Sequence, residues 1–121
     1  MKHNYDDLPT IPAVSYVCTK TQEMEKYESF FIKMSAKQKC IEITAEYRDY
    51  EDQDSSSNRQ GFLQMVADIQ MDADIQAGYA RPLIVVETFD SLPSNMAALG
   101  IDKDFFEKNT RIIELKYLKR R

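Results

Sequence analysis

The chain alternates between two hydrophobic periods. Ala13 to Cys18 (AVSYVC) is a compact apolar run of β-favouring residues, the pattern of a buried strand. The period then lengthens: Met24, Tyr27, Phe31 and Met34 recur at steps of three and four, with Phe30 beside them. Glu23, Glu25, Lys26, Glu28 and Lys33 fill the other positions. That spacing predicts an amphipathic helix whose aromatic and methionine stripe packs on the core. Thr19 and Gln22 have the spacing of a capping box at its start. Strand chemistry returns at Ile41 to Tyr47 (IEITAEY), with Ile41, Ile43, Ala45 and Tyr47 on one side of the alternation.

Arg48 to Asn58 (RDYEDQDSSSN) is acidic and serine-rich with almost nothing to bury, which predicts a mobile loop. Phe62, Met65, Val66 and Ile69 repeat at helical spacing, with Asn58 or Ser57 as cap, and this second helix runs on toward Ala77 before Gly78. Pro82 to Phe89 (PLIVVETF) is the most strand-like stretch. Leu83 to Val86 are apolar at successive positions, as expected when both faces of a parallel sheet are covered. A short helix at Met96 to Leu99, broken near Gly100, precedes a helical piece at Asp102 to Asn109 and a last strand at Arg111 to Leu118. Met1 to Pro12 is polar, carries Pro9 and Pro12, and reads as a flexible lead-in arm. The division is therefore an arm over 1–12 and one domain over 13–121. Alternating strands and helices predict a single three-layer α/β domain with a mainly parallel sheet flanked by helices. Functional groups in such sheets collect beyond the carboxyl ends of strands, here Cys18 to Thr21, Tyr47 to Asp54 and Glu87 to Asn95.

Composition narrows the chemistry. A length of 121 residues suits one core, and 43% hydrophobic with 30% charged residues is ordinary for a globular domain. A net charge of −4 argues against broad attraction to phosphate backbones, although a local basic patch is compatible with it. Cys18 and Cys40 have no companions at metal-ligand spacing and His3 has no partner histidine, so reduced thiols, no metal and no cofactor are expected. No apolar run approaches the roughly 20 residues of a membrane helix. The first residues lack the apolar middle of a secretion signal, so no membrane partner and a cytoplasmic location are expected.

Four short patterns fall at or next to these strand ends. They are Tyr16-Val17-Cys18-Thr19-Lys20-Thr21-Gln22, Tyr47-Arg48-Asp49, Arg59-Gln60-Gly61-Phe62 with Met65, and Asp90-Ser91-Leu92-Pro93-Ser94-Asn95. In this order, over about residues 13–118, the chain resembles the N-terminal catalytic domain of the serine recombinases, the resolvases and invertases. In that family the first strand ends in Tyr-x-Arg-x-Ser, whose serine attacks a DNA phosphate, and the second ends in Tyr-x-Asp. An Arg-x-Gly-Phe/Leu pattern opens the following helix, with a methionine soon after. The third strand ends in Asp-Arg-Leu-x-Arg-Asn. The resemblance implies a resolvase-like fold.

The departures fall on the chemistry. Lys20 stands at the nucleophile position and Cys18 at the arginine before it, while Ser91 and Ser94 replace both arginines of the third pattern. Arg59 alone remains of the cationic set. Phosphodiester attack builds negative charge that arginines neutralise, and losing one such donor typically costs about 3 kcal/mol of barrier. A lysine cannot form the phosphoserine ester. Moving the first pattern by one residue brings Thr19 or Thr21 to the nucleophile position, but no shift restores the third pattern's arginines.

The resemblance therefore implies a degenerate site at Tyr16, Cys18, Lys20, Asp49, Arg59, Asp90, Ser91, Ser94 and Asn95, with no catalytic residue expected. The protein would act by association in a recombination or mobile-element setting, with itself, with an active recombinase or with other DNA-bound proteins. DNA contact by this domain alone would be weak. Two alternatives stand beside this: a small α/β enzyme using Cys18, Lys20, Asp49 and Asp90, and a fragment of a divergent active recombinase. Plainer roles exist for the same residues. Cys18 suits a buried strand position and Lys20 a solvated loop; Asp49 and Asp90 suit caps of the next helix or turn. Arg59 suits an ion-pairing role toward the acidic loop. Lys116, Lys119, Arg120 and Arg121 suit either a solvated chain end or phosphate contacts.

Overall fold

The central strands of this protein bury apolar side chains on both faces, and that property sets the layering. A computed structural model describes residues 10–50, 59–71 and 82–115. Strand β1 (Ile11–Thr19) leads to helix α1 (Gln22–Gln38) and strand β2 (Ile41–Tyr50). Helix α2 (Gln60–Gln70) and strand β3 (Leu83–Val86) follow, then single 3-10 turns at Phe89–Ser91 and Ala97–Leu99, helix α3 (Lys103–Asn109) and strand β4 (Arg111–Glu114). The sheet order is β2-β1-β3-β4, and all three neighbouring pairs are parallel.

Side chains alternate across the sheet as the pleat requires. Ala13, Val17, Leu83, Val85 and Leu115 join Ile32 and Ala36 of α1 on one face. Tyr16, Ile84 and Val86 join Phe62 and Met65 of α2 and Phe106 of α3 on the other. The chain is thus an α/β domain in three layers, with a four-stranded parallel sheet between helices, as the alternating pattern predicts. The β1–α1–β2 unit grows toward one edge and β3 and β4 lie on the opposite side of β1. The crevice between β1 and β3 at their carboxyl ends is therefore the topological switch point.

Several boundaries differ from the sequence reading, for identifiable reasons. Arg48, Asp49 and Tyr50 belong to β2 rather than to the acidic loop, because each finds a partner on β1: Val17, Cys18 and Thr19. Residues 51–58, with the cap candidates Ser57 and Asn58, lie outside the described residues, as do 1–9, 72–81 and 116–121. The cap of α1 is Thr21, whose hydroxyl accepts from the Met24 N–H at 3.1 Å. Thr19 is instead buried and donates its hydroxyl to the Thr21 carbonyl at 2.8 Å. Strand β1 begins at Ile11, so it takes in Pro12.

The largest difference concerns α1. Met24, Tyr27, Phe30 and Met34 are exposed, Phe31 of the expected stripe is partly buried against the core as expected, and the residues fully buried against the sheet are Glu25, Ile32 and Ala36. Ile32 and Ala36 allow close approach to Ala13, Val17 and Ile41. Glu25, one helical row away, is received by polar partners. Its carboxylate accepts from Ser29 at 2.8 Å and from the Tyr50 hydroxyl at 3.3 Å, and lies 3.8 Å from Arg48 Nε. A helix whose inner face is held this way turns its aromatic stripe outward.

Candidate functional site

One extra residue in β2 decides where the site forms. Ala13 pairs with Ile43 but Val14 pairs with Ala45, so Thr44 has no partner position and the strand carries a β-bulge there. The Thr44 hydroxyl donates to the Ala13 carbonyl at 3.2 Å. A bulge reverses the alternation that follows it. Ile41 and Ile43 therefore join the α1 core, whereas Tyr47 joins the α2 core, correcting the expectation that these residues share one side. Tyr47 comes to lie beside Tyr16 and Asp49 beside Cys18.

Asp49 is buried at the start of α2, a helix whose own N-cap residue, Arg59, makes no side-chain cap bond. Asp49 supplies the cap from the neighbouring strand. Its Oδ1 accepts from the Gly61 N–H at 2.7 Å, and its Oδ2 accepts from the Phe62 N–H at 2.9 Å and the Tyr16 hydroxyl at 2.6 Å. These bonds satisfy two of the free amides of the first helical turn and place a negative charge at the positive end of the helix. Gly61 makes the approach possible. A Cβ at that position would stand 2.1 Å from the Arg48 carbonyl oxygen and 2.8 Å from its carbon.

Tyr16 is fully buried and stands edge-on to Phe62, with ring centroids 5.2 Å apart. Burial, followed by its bond to Asp49, holds its phenol well above the usual range, so it remains a protonated donor. Arg59 closes the network: one Nη1 donates to the Tyr16 oxygen at 3.1 Å and to the Ser91 carbonyl at 2.8 Å. Burial opposes the Arg59 charge. The hydrogen bond to Tyr16 and the nearby Asp49 carboxylate outweigh it, and the guanidinium pKa rises. The ends of β1 and β2, the start of α2 and the turn after β3 are joined through these four residues.

The network thus unites Tyr16, Asp49, Arg59 and the Ser91 backbone, with Cys18 half-buried alongside. Lys20, Asp90, Ser94 and Asn95 are exposed. The Asn95 Oδ1 accepts from the Ala98 N–H at 3.2 Å, at the 3-10 turn Ala97–Leu99. Chemically the cluster is committed to itself. Asp49 already accepts three hydrogen bonds, Tyr16 keeps its proton, and Arg59 is directed at a phenol and a backbone carbonyl.

Two further polar pairs have no local sequence signal. The Tyr47 hydroxyl donates to Asp68 of α2 at 2.6 Å; burial and then Asp68 push its pKa up to about 12. Glu28 of α1 is raised to about 7, by burial first and then by Glu87 beyond β3. A separate pocket of about 640 Å³ lies between α2 and α3, lined by Leu63, Val66, Ile69, Leu99, Ile101 and Phe105 among others. Its one carboxylate, Asp102, accepts from the Phe105 N–H at 3.2 Å as the cap of α3.

Among the described residues no group of three or more His, Cys, Asp or Glu side chains is arranged to hold a metal. No described helix is long and apolar enough to cross a membrane. The chain matches no protein-family model, and a search of curated proteins gives no match.

Proposed function

We propose that this protein is a serine-recombinase-like domain without strand-transfer chemistry of its own, acting through protein association in a DNA-recombination setting. The observation that carries the proposal is the saturation of Asp49 and Tyr16. The polar residues that fit the family pattern at the strand ends are spent on joining β1, β2 and α2, with Arg59 drawn into the same network. The positions that would supply the nucleophile and two of its arginines carry Lys20, Ser91 and Ser94, and the turn after β3 contributes a carbonyl to the network. Without a cluster of guanidinium groups, the charge of a pentacoordinate phosphate has little to oppose it. The alternative of a small-substrate enzyme fits less well. It needs Asp49 free as an acid or base, and all three of the donors described above already point at that carboxylate.

The test is incubation with supercoiled plasmid DNA, scored for nicked circles and for covalent protein–DNA species after denaturation. The proposal expects neither. A covalent adduct that disappears on replacing Lys20, Thr19 or Thr21 would overturn it. Partner capture then addresses the association half: retention by an active serine recombinase, abolished by surface substitutions in this domain, is the expected result.

A further inference from the structure

The outward face of α1 carries a charge opposite to that of the chain. The protein as a whole has 20 acidic against 16 basic side chains, a net charge of −4. Lys26, Lys33 and Lys37 nevertheless form one column along α1, within about 40° of one another round the helix, with Glu23 as the single acidic residue on that face. Lys26 and Lys37 are exposed and form no ion pair with another described residue, whereas Lys33 lies 3.0 Å from Glu46 and is partly neutralised. Tyr27, Phe30 and Met34 make a second column beside the lysines, 74%, 65% and 48% exposed. Met24 lies about 120° round the helix from Phe30 and is not part of it. Glu25, Ile32 and Ala36 face the sheet on the opposite side, so both columns point away from the core.

We propose that this face of α1 binds single-stranded nucleic acid, the lysines receiving phosphates and Tyr27 and Phe30 stacking on bases. The inference goes beyond the association reading and stands on separate residues. Such a surface needs two kinds of group: cations that track a phosphate backbone, and flat rings on which unpaired bases stack. Here they run side by side. Lys26 and Lys37 are about 17 Å apart along the helix axis, and Tyr27 and Phe30 fall within that span, about 4.5 Å from each other along it. A duplex keeps its bases stacked inside and offers phosphates alone, so this surface favours single strands. An anionic bilayer also matches the charge. A helix lying in it needs a broad apolar face, however, and the aliphatic residues of α1, Ile32 and Ala36, are turned to the sheet. An acidic peptide engages the lysines but brings no row of flat faces to match two neighbouring rings.

The two contributions are modest and have different signatures. Each phosphate neutralised on a single strand adds about −0.7 to the slope of log affinity against log salt. Lys26 and Lys37, with a smaller share from Lys33, give a slope between about −1.4 and −2.1. Each stacked base changes affinity by at least about fivefold and leaves that slope alone.

The experiment is fluorescence anisotropy of a labelled thymine oligomer of about 12 nucleotides, titrated with the full chain to several hundred micromolar at about 50 mM salt. Saturable binding is expected, and weaker binding to a duplex of the same length. Lys26→Gln should reduce the steepness of the salt slope by about 0.7. Phe30→Ala should weaken binding at least about fivefold with the slope unchanged. Neither side chain belongs to the core, and an unchanged circular dichroism spectrum checks the fold of each variant. Absence of binding, a duplex bound as tightly as the single strand, or indifference to Phe30→Ala would overturn the inference. Phosphatidylserine vesicles or polyglutamate bound in preference to the oligomer, with loss in the same two variants, would assign the face to another partner and overturn it as well. The proposed function stands or falls separately, on whether a covalent DNA adduct forms at the strand ends.

Discussion

Replacing Gly61 by alanine sets two physical effects against each other, and they differ in sign. Gly61 lies in the first turn of α2, where alanine is the better helix former by about 1 kcal/mol. Propensity alone therefore predicts a more stable protein. The packing predicts the opposite. The new Cβ would stand 2.1 Å from the Arg48 carbonyl oxygen, where ordinary contact begins at 3.4 Å, so α2 must withdraw from β2 by about 1 Å or more. The obstructing atoms are backbone and cannot rotate away. A withdrawal of that size stretches the bonds from Gly61 and Phe62 to Asp49, now 2.7 and 2.9 Å, beyond useful length. Each is a hydrogen bond to a charged acceptor, and at about 1.5 kcal/mol apiece their loss amounts to about 3 kcal/mol, or about 2 kcal/mol net of propensity. In urea this corresponds to a midpoint lowered by about 1 M. Gly100 serves as the control. It has φ +79° and nothing within 4 Å of its would-be Cβ, so Gly100→Ala carries only the backbone strain of about 1 kcal/mol. A Gly61→Ala midpoint equal to or above wild type would refute the close approach of α2 to β2 on which the site is built.

Other outcomes follow from the same geometry. Tyr16→Phe removes a donor to Asp49 and an acceptor from Arg59, and should lower stability by about 2 kcal/mol in denaturant unfolding; an unchanged midpoint would mean the phenol bridge is idle. Thr21→Ala should cost about 1 kcal/mol through loss of the α1 cap, whereas the sequence reading would have placed that cost at the capping box begun by Thr19. Glu28 has a folded pKa raised from 4.5 to about 7, so its contribution is fully present below the ordinary glutamate value and is lost as pH rises through about 7. Because Glu28 is only partly buried, solvent screening limits the effect to about 1 kcal/mol. Glu28→Gln should accordingly gain stability relative to wild type between pH 5 and 8, and parallel curves across that window would contradict the assignment.

Most of the fold was legible in the chain, and the exceptions share a cause. Leu83 to Val86 form a strand covered on both faces, and the unbroken apolar run announced it, since no alternation is needed where both sides are buried. The amphipathic period of α1 likewise identified a helix, but not which face is inward. Moment arguments assume that the more apolar side is buried. Here Glu25 finds Ser29, Tyr50 and Arg48, two of them from a strand far along the chain, and the polar side wins. The bulge at Thr44 is equally silent in a sequence, because Ile41, Ile43, Ala45 and Tyr47 read as one regular alternation. That single residue moves Tyr47 and Asp49 to the α2 face. The candidate site was visible as a set of residue types near strand ends, and Tyr16, Asp49, Arg59 and Ser91 do meet. Their hydrogen-bond pattern, which makes Asp49 a cap supplied by another strand, depends on tertiary pairing and leaves no spacing rule to read.

Asp49 either fastens the fold or waits for a reaction, and the two roles differ in their effect on stability. The most direct measurement is the unfolding free energy of Asp49→Asn, a substitution that keeps the shape while replacing acceptor oxygen by a donor. If the carboxylate joins β2 to α2, the Phe62 amide and the Tyr16 hydroxyl lose their acceptor, and the variant should be less stable by about 3 kcal/mol. Groups held ready for chemistry usually behave the other way, since their removal relieves a locally unfavourable site. A variant as stable as the wild type, or more so, would contradict the account.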